Sequence, residues 1–462
     1  MRNVRSIIIL IVLGSMVSVA TGQSTRKSPE KQVFVDYGDR FYGEAIAVPT
    51  ATGDSASLMV FFRMANDFLT FTKVTDRKDI NGNFKADMAV SIEIRDSIGV
   101  IRHRIPWRGT AYVNAYEETN SKTDFHFGTA SVKVAPNTYS ITLEILSQKE
   151  SNQRRLLLPA VSFQPRRTLR TITTPVIAET EVTGDADQFK PYVFGGSIPF
   201  QPRDASALVL VADSIPTEWT VRLVQKPYEE KEIRWWTVGD AEYTIRSLPG
   251  FVPTITDGSS TDRPVLTLTK GGPSNIATLI VPVPVTALVP GSYLLSLRRK
   301  GAMDSLTVPL KVYWEMMPLS LRNLAYAVGI MRYIADDAVL DSIDEGTDAE
   351  RRSKLMDFWR RRDPTPATTF NEQLAEYYRR VDKAFYLYST IAEPDGAKSE
   401  RGKIYILHGS PSSVKKAVGT GDRQQEIWAY TNKVRRSFTF EVDDAGIYRL
   451  RAIDPPEAPR QN

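Results

Sequence analysis

From Lys31 to Trp314 the chain repeats one pattern: short segments in which apolar and polar residues alternate, separated by Gly, Pro, Asn and Asp. Successive side chains of a strand point to opposite faces, so period-two segments with frequent turn signals predict antiparallel β-sandwiches. A first block contains the segments 57–64, 68–74, 88–96, 100–105 and 139–146; a second contains 207–213, 218–224, 232–238, 265–269, 277–283 and 292–299. Between them lies a basic, proline-punctuated seam with Pro165, Arg166, Arg167, Arg170 and Pro175, which suits an exposed linker better than a core strand. Both blocks place a Pro-led turn and a tyrosine at the head of an alternating strand, at Ala135–Tyr139 and again at Val289–Tyr293. That device is frequent in immunoglobulin-like domains. The expected organisation is therefore two tandem antiparallel β-sandwiches of immunoglobulin-like type, over residues 24–165 and 171–314.

Two features of the β region suggest chemistry and read better as structure. Asp79–Asn83 resembles part of a calcium loop, yet Asn81-Gly82 suits a tight hairpin turn and the bidentate glutamate of such a loop is missing. Trp235 and Trp236 suggest sugar stacking, but neighbours on a strand face opposite ways and cannot form one platform.

The amino terminus places Arg2 and Arg5 ahead of an apolar run from Ile7 to Leu13, followed by small residues. This predicts a secretory signal peptide over residues 1–22, cleaved after Ala20 or Gly22, and too short to remain as a membrane span. The expected location is outside the cytoplasm, in the periplasm or the extracellular space. The sequence contains no cysteine, which excludes a lipoprotein anchor, disulfides, thiolate catalysis and cysteine-based zinc sites. The formal charge is +5, and losing Arg2 and Arg5 reduces it to +3, too small an excess to suggest a nucleic-acid partner.

After Pro318 the period changes to that of helices. Leu321, Leu324, Ala325, Val328, Met331 and Ile334 share one helical face; Thr347 and Glu350 form a capping box; a third helix is expected from Thr369, with Glu372 three residues on, to about Ser389. The prolines of Asp363-Pro364-Thr365-Pro366 separate the second helix from the third. Past Gly402 alternation returns, predicting strands at 403–409, 426–430, 437–443 and 447–452, with Gly409-Ser410-Pro411 ending the first. The segment Lys415–Arg423 reads as a loop. An α+β domain of three helices and a small antiparallel sheet is expected over residues 318–462.

Several fragments of this module occur in a recognisable order and spacing. They are Phe358-Trp359-Arg360-Arg361-Arg362-Asp363-Pro364, Asn371-Glu372, Tyr377-Tyr378-Arg379-Arg380, then Arg401-Gly402-Lys403 through Gly409-Ser410-Pro411, and Glu426-Ile427-Trp428. Together, across residues 318–452, they resemble the GWxTD domain of exported bacterial envelope proteins. The stretch corresponding to the family's own signature reads Gly396-Ala397-Lys398-Ser399-Glu400: the glycine is kept, Ala397 stands for the tryptophan, and Ser399 and Glu400 stand for threonine and aspartate. The resemblance implies an exported protein with β-rich regions ahead of this domain and supplies no catalytic residues.

No zinc-protease, Walker, nucleophile-elbow or dinucleotide-binding motif is present, and the only histidines are His103, His126 and His408. No metal or cofactor is expected. The expected function is a non-enzymatic exported scaffold or interaction protein of the cell envelope, with the terminal module as docking domain for an envelope protein or an anionic envelope polymer. A competing expectation is a carboxylate-dependent cell-wall or glycan hydrolase using Asp363, Glu372, Glu376 or Glu400. Candidate contact residues cluster at the turn Arg362–Pro366 and the loop Gly409–Pro411, and Trp428 is a further motif residue; Trp359 and Tyr377 are expected to form a core between two helices, with Arg362 and Arg380 pairing to Asp363.

Overall fold

The computed structural model describes residues 40–76, 81–145, 155–164, 175–183, 186–226, 241–257, 262–431 and 435–454. The expected leader, most of the basic seam, the Trp235–Trp236 pair and Asp79–Ile80 lie outside them.

Among the described residues the strands form five sheets, and the first four stack through shared cores. Strands Phe41–Pro49, Ala56–Ala65 and Phe125–Val134 make a three-stranded antiparallel sheet. One of its faces, with Leu58, Val60, Phe62 and Met64, packs on Val90, Ile92, Ile94 and Leu143 of a six-stranded sheet. Its other face, with Ile46, Val48, Met59 and Phe61, packs on Val176, Phe189, Leu208 and Leu210 of a seven-stranded sheet. The far side of that sheet, through Val209, Val211, Leu279 and Val281, meets Val221, Leu223, Leu295 and Leu297 of a five-stranded sheet.

Strand Ala56–Ala65 explains a detail of the sequence. Its stretch Leu58–Phe62 is apolar without alternation because the strand is covered on both faces, and a doubly covered strand loses the period of two. By contrast, residues 68–74 alternate yet supply only the two-residue strand Thr72–Lys73 after a 3-10 turn at Asn66–Phe68. The tight turn expected at Asn81-Gly82 is also absent: Gly82 has no positive φ, and its constraint is instead the Val113 carbonyl 3.0 Å from where a Cβ would sit.

The two paired turns form the same bond. Tyr139 donates its hydroxyl to the Ala135 carbonyl at 2.7 Å, and Tyr293 donates to the Val289 carbonyl at 2.8 Å. In each case the ring is buried at the head of its strand and the hydroxyl satisfies a carbonyl four residues back.

Asp213, 3% exposed, is the polar anchor of the second block. It accepts hydrogen bonds from Ser247 at 2.7 Å, Thr217 at 3.0 Å and the Trp219 indole at 3.2 Å, and pairs with Arg299 at 3.0 Å. Burial pushes its pKa up, but those donors and the arginine outweigh burial and hold it below the ordinary 3.8. A depressed carboxylate stabilises the fold above its unfolded pKa and loses that contribution as the pH falls through the folded value. Asp213→Asn is expected to cost about 2–3 kcal/mol at neutral pH and to flatten the stability loss below pH 3.8, both measurable by urea unfolding at a series of pH values.

The carboxy-terminal part continues the same core through Trp314, Phe200 and Phe370, whose rings lie 5.2–5.8 Å apart. It holds five helices among the described residues, not the three expected: α1 (Leu324–Ile330), α2 (Asp337–Asp344), α3 (Asp348–Arg360), α4 (Glu372–Leu387) and α5 (Glu400–His408). Leu321, Leu324, Val328 and Met331 are buried as their spacing predicts, but Ala325 is exposed and Ile334 half-buried, and the helix breaks into α1 with a 3-10 turn on either side. The Thr347–Glu350 capping box starts α3.

Three expectations are corrected. Helix α4 begins one turn of chain later than Thr369: Asn371 is its cap, accepting the Leu374 N–H at 2.8 Å, while Thr369 donates to the Leu288 carbonyl. Residues 403–408, expected as a strand, belong to α5. Ser399 caps it, Gly409 at φ +80° ends it, and consecutive burial of Ile404, Tyr405 and Ile406 obscures its period. The fourth strand of the terminal sheet is instead Ser413–Val418, within the stretch expected as a loop. It pairs with Gln424–Tyr430, followed in order by Arg436–Val442 and Tyr448–Asp454.

Candidate functional site

Half of the residues singled out in the sequence are buried. Trp359, 1% exposed, lies 5.2 Å from the Tyr377 ring and 5.6 Å from that of Tyr378. These tyrosines donate to the carbonyls of Ile330 and Ala327 at 2.8 and 2.9 Å, tying α4 to α1. Asn371 completes the frame by donating its amide to the Trp359 carbonyl at 2.8 Å. Arg362 spreads over the Phe358 ring at 3.6 Å and donates to that residue's carbonyl, so it does not pair with Asp363 as expected. Asp363 accepts the Thr365 N–H at 2.9 Å, and Glu372 accepts the Thr365 hydroxyl, making the turn around the exposed Pro364 self-contained. Glu372 thus holds the turn and is not the capping-box partner of Thr369.

Arg380 bridges helices. It pairs with Glu376 at 2.6 Å, rather than with Asp363 as expected, and donates to the Ile406 and Leu407 carbonyls at 3.3 Å, closing the carboxyl end of α5 beside Gly409. Tyr430 donates to the Gly409 carbonyl at 2.9 Å, and Pro411 is half-buried just beyond it.

The signature segment is a helix start. Ser399 donates its hydroxyl to the Gly396 carbonyl at 2.7 Å and accepts the Gly402 N–H at 3.0 Å. Ala397 is fully buried, and its carbonyl accepts the Tyr333 hydroxyl at 3.0 Å. Arg401 lies under the Tyr448 ring at 3.5 Å and meets Glu426 at 3.3 Å, where the Trp428 indole also donates. Trp428 itself packs between Tyr388 and Phe440.

A cleft of about 460 Å³ runs between α5 and the terminal sheet, lined by Glu400, Lys403, Ile404 and His408 on one face of α5, by Arg436 and Phe438, and by Leu450 and Ile453. Spacings of three, four and eight residues put those α5 side chains on a common stripe. Glu400 caps the outer edge of the sheet: its carboxylate accepts the Leu450 N–H and faces Arg449 at 3.5 Å, which in turn pairs with Asp443 at 3.0 Å.

His408 stacks on Phe438 with centroids 5.4 Å apart. Burial, then the charges of Arg380 and Arg436, push its pKa below 6.5. The unfolded chain therefore takes up a proton first, and the stability contribution of neutral His408 is lost as the pH falls below 6.5. An NMR titration of the imidazole is expected to give a midpoint under that value.

Sequence reasoning singled out Glu400 but missed Lys403, Ile404, Arg436 and Ile453 as cleft residues, because the stripe exists only once 400–408 is a helix. It also missed Glu393, whose pKa burial pushes up; Glu400 and Asp443 add to the rise while Arg449 opposes it.

Helices framed by buried aromatics and closed by a four-stranded sheet, fused to stacked sheets ahead of them, define a mostly β multidomain protein with a terminal α+β module. Residues 296–448 match the family model of the GWxTD domain, so this part of the chain is a GWxTD domain. The match begins inside strand Gly291–Arg299 and takes in Leu306–Tyr313, two strands of the five-stranded sheet. No curated protein sequence matches the chain. Among solved structures, red sea bream transglutaminase is similar at 8% identity, over 63% of this chain and 34% of that one, with a TM-score of 0.18. Trypsin-activated alpha-2-macroglobulin from Escherichia coli is similar at 10% identity, over 91% of this chain and 21% of that one, with a TM-score of 0.15. The chain thus spans about a third and a fifth of these two structures, overlaps too loose to bear on activity.

Proposed function

We propose that this chain is a non-enzymatic scaffold of the bacterial cell envelope, exported by its amino-terminal leader, in which immunoglobulin-like β-sandwiches carry a GWxTD domain that docks a partner. The observation that carries this reading is the use made of the carboxylates. Asp363 and Glu372 hold the Thr365 turn, Glu376 is held below the ordinary carboxylate range by Arg379 and Arg380 despite its burial, and Glu400 caps Leu450. A glycan hydrolase needs one carboxyl kept protonated and a second free to act. The matched tyrosine bonds at Tyr139 and Tyr293 support the immunoglobulin-like reading.

The test is photocrosslinking in the native envelope, with a photoreactive residue at exposed Ser410 beside the cleft or at Ile98, 78% exposed, in the first β block. Partner adducts from Ser410 are expected; adducts from neither position would sink the scaffold reading, and adducts from Ile98 alone would remove docking from the GWxTD domain. The hydrolase reading keeps one specific support, the raised Glu393 beside Glu400. Release of glycan fragments from isolated cell wall, abolished by Glu393→Gln, would favour it.

A further inference from the structure

The cleft beside α5 combines an apolar floor with a cationic rim. Ile404, Phe438 and Leu450 form the floor, and Ile453 extends it. Ile453 pairs across the sheet with Phe438, which is 2% exposed, yet Ile453 itself is 50% exposed. The apolar floor therefore reaches open solvent at the sheet's outer edge.

Lys403 and Arg436 stand at the rim, both exposed, and neither has a carboxylate partner among the described residues. Lys403 lies 5.8 Å from the Tyr333 ring. Glu400, the carboxylate lining the cleft, is already engaged by Leu450 and Arg449. His408, whose pKa is lowered first by burial, also feels the charges of Arg380 and Arg436. A complementary ligand is apolar where it meets Ile453 and negative where it meets the two cations.

We propose that this cleft binds an extended segment of a partner protein that carries an acidic side chain beside a large apolar one, with the apolar side chain on Ile404, Phe438 and Ile453 and the carboxylate between Lys403 and Arg436. The proposal rests on the docking function above and names its ligand class. Specificity comes from the pair of requirements, since an apolar segment without charge leaves the cations unpaired and a charged one without an apolar anchor leaves the floor wet.

The test uses the full chain and fluorescence anisotropy with two labelled peptides, Ser-Glu-Leu-Phe-Glu-Ser and its glutamine counterpart Ser-Gln-Leu-Phe-Gln-Ser, with decanoate as competitor. The acidic peptide is expected to bind at least about tenfold more tightly than the neutral one, with an advantage that shrinks as salt is raised. Lys403→Glu combined with Arg436→Glu, and separately Ile453→Asp, are each expected to weaken it about tenfold or more. All three positions are exposed, so the thermal midpoint is expected to stay put.

Equal binding of both peptides overturns the proposal, as does unchanged binding by the charge-reversed variant, or binding of decanoate without either peptide. Photocrosslinking from Ser410 separates this from the underlying function. Adducts that persist in the charge-reversed variant leave docking standing and remove the acidic ligand; loss of Ser410 adducts in the unmodified chain removes docking itself.

Discussion

Arg63→Met is expected to destabilise the chain by about 3–5 kcal/mol, the usual cost of deleting one member of a buried ion pair. Arg63 pairs with Glu315 at 2.6 Å, and its guanidinium lies against the rings of Phe125 at 3.9 Å and of Tyr42 and Phe194 at 4.8 Å. The nearby Glu44 carboxylate accepts the N–H groups of Phe194 and Gly196 at 2.7 and 2.9 Å. Those donors converge because Val193, Gly195 and Gly196 all adopt positive φ, a strained arrangement for the β-branched Val193. Three parts of the molecule meet here: strands Phe41–Pro49 and Ala56–Ala65, the 193–196 turn, and the Glu315 approach to the helices.

Burial pushes both Glu44 and Glu315 above the ordinary carboxylate value, with Arg63 opposing the rise in each. A raised carboxylate keeps its proton longer in the folded state than in the unfolded one, so its contribution is lost as the pH climbs through the folded value. Without Arg63 that loss deepens. The destabilisation in Arg63→Met is therefore expected to be larger at pH 8 than at pH 5, and Arg63→Met with Glu315→Gln to recover much of it. Urea unfolding of the single and double variants at both pH values checks this; a loss under about 1 kcal/mol at pH 8 would show that the pair contributes no more than a surface bridge.

What the sequence disclosed followed from how locally each feature is encoded. The Thr347–Glu350 box and the tyrosine turns each depend on residues a few positions apart, and each is where its pattern places it. Helix α5 was missed because Ile404, Tyr405 and Ile406 are all covered, and three covered neighbours in a row blur the contrast on which periodicity depends. Fusion of the β blocks was missed for the same reason at sheet level: strand Ala56–Ala65 has two buried faces. The Arg63–Glu315 pair joins residues 252 positions apart and leaves no local trace. As for the site, the motif residues were legible as a group, but whether Trp359 or Arg401 turns inward depends on neighbours supplied by other elements.

Gly402→Ala is expected to cost about 3 kcal/mol or more, above ordinary overpacking because the obstruction is backbone. A Cβ at Gly402 would lie 2.0 Å from the Gly396 carbonyl oxygen and 3.0 Å from the Ala397 Cα. That carbonyl cannot retreat freely, because it also accepts the Ser399 hydroxyl that caps α5. Gly396 is held as tightly, with the Ser389 N 2.3 Å and the Ala384 carbonyl 2.5 Å from its own missing Cβ. The signature segment is thus wedged between the end of α4 and the start of α5, and the fully buried Ala397 sits inside the wedge. Restoring the family's tryptophan there, as Ala397→Trp, is expected to destabilise this chain as well, since its neighbours have closed around a methyl group. Gly329 in α1 supplies the control: nothing lies within 4 Å of its missing Cβ, and Gly329→Ala is expected to stabilise by about 0.5–1 kcal/mol through backbone entropy alone. Thermal unfolding of these variants decides the matter, and a Gly402→Ala chain as stable as Gly329→Ala would mean that α5 does not rest on Gly396.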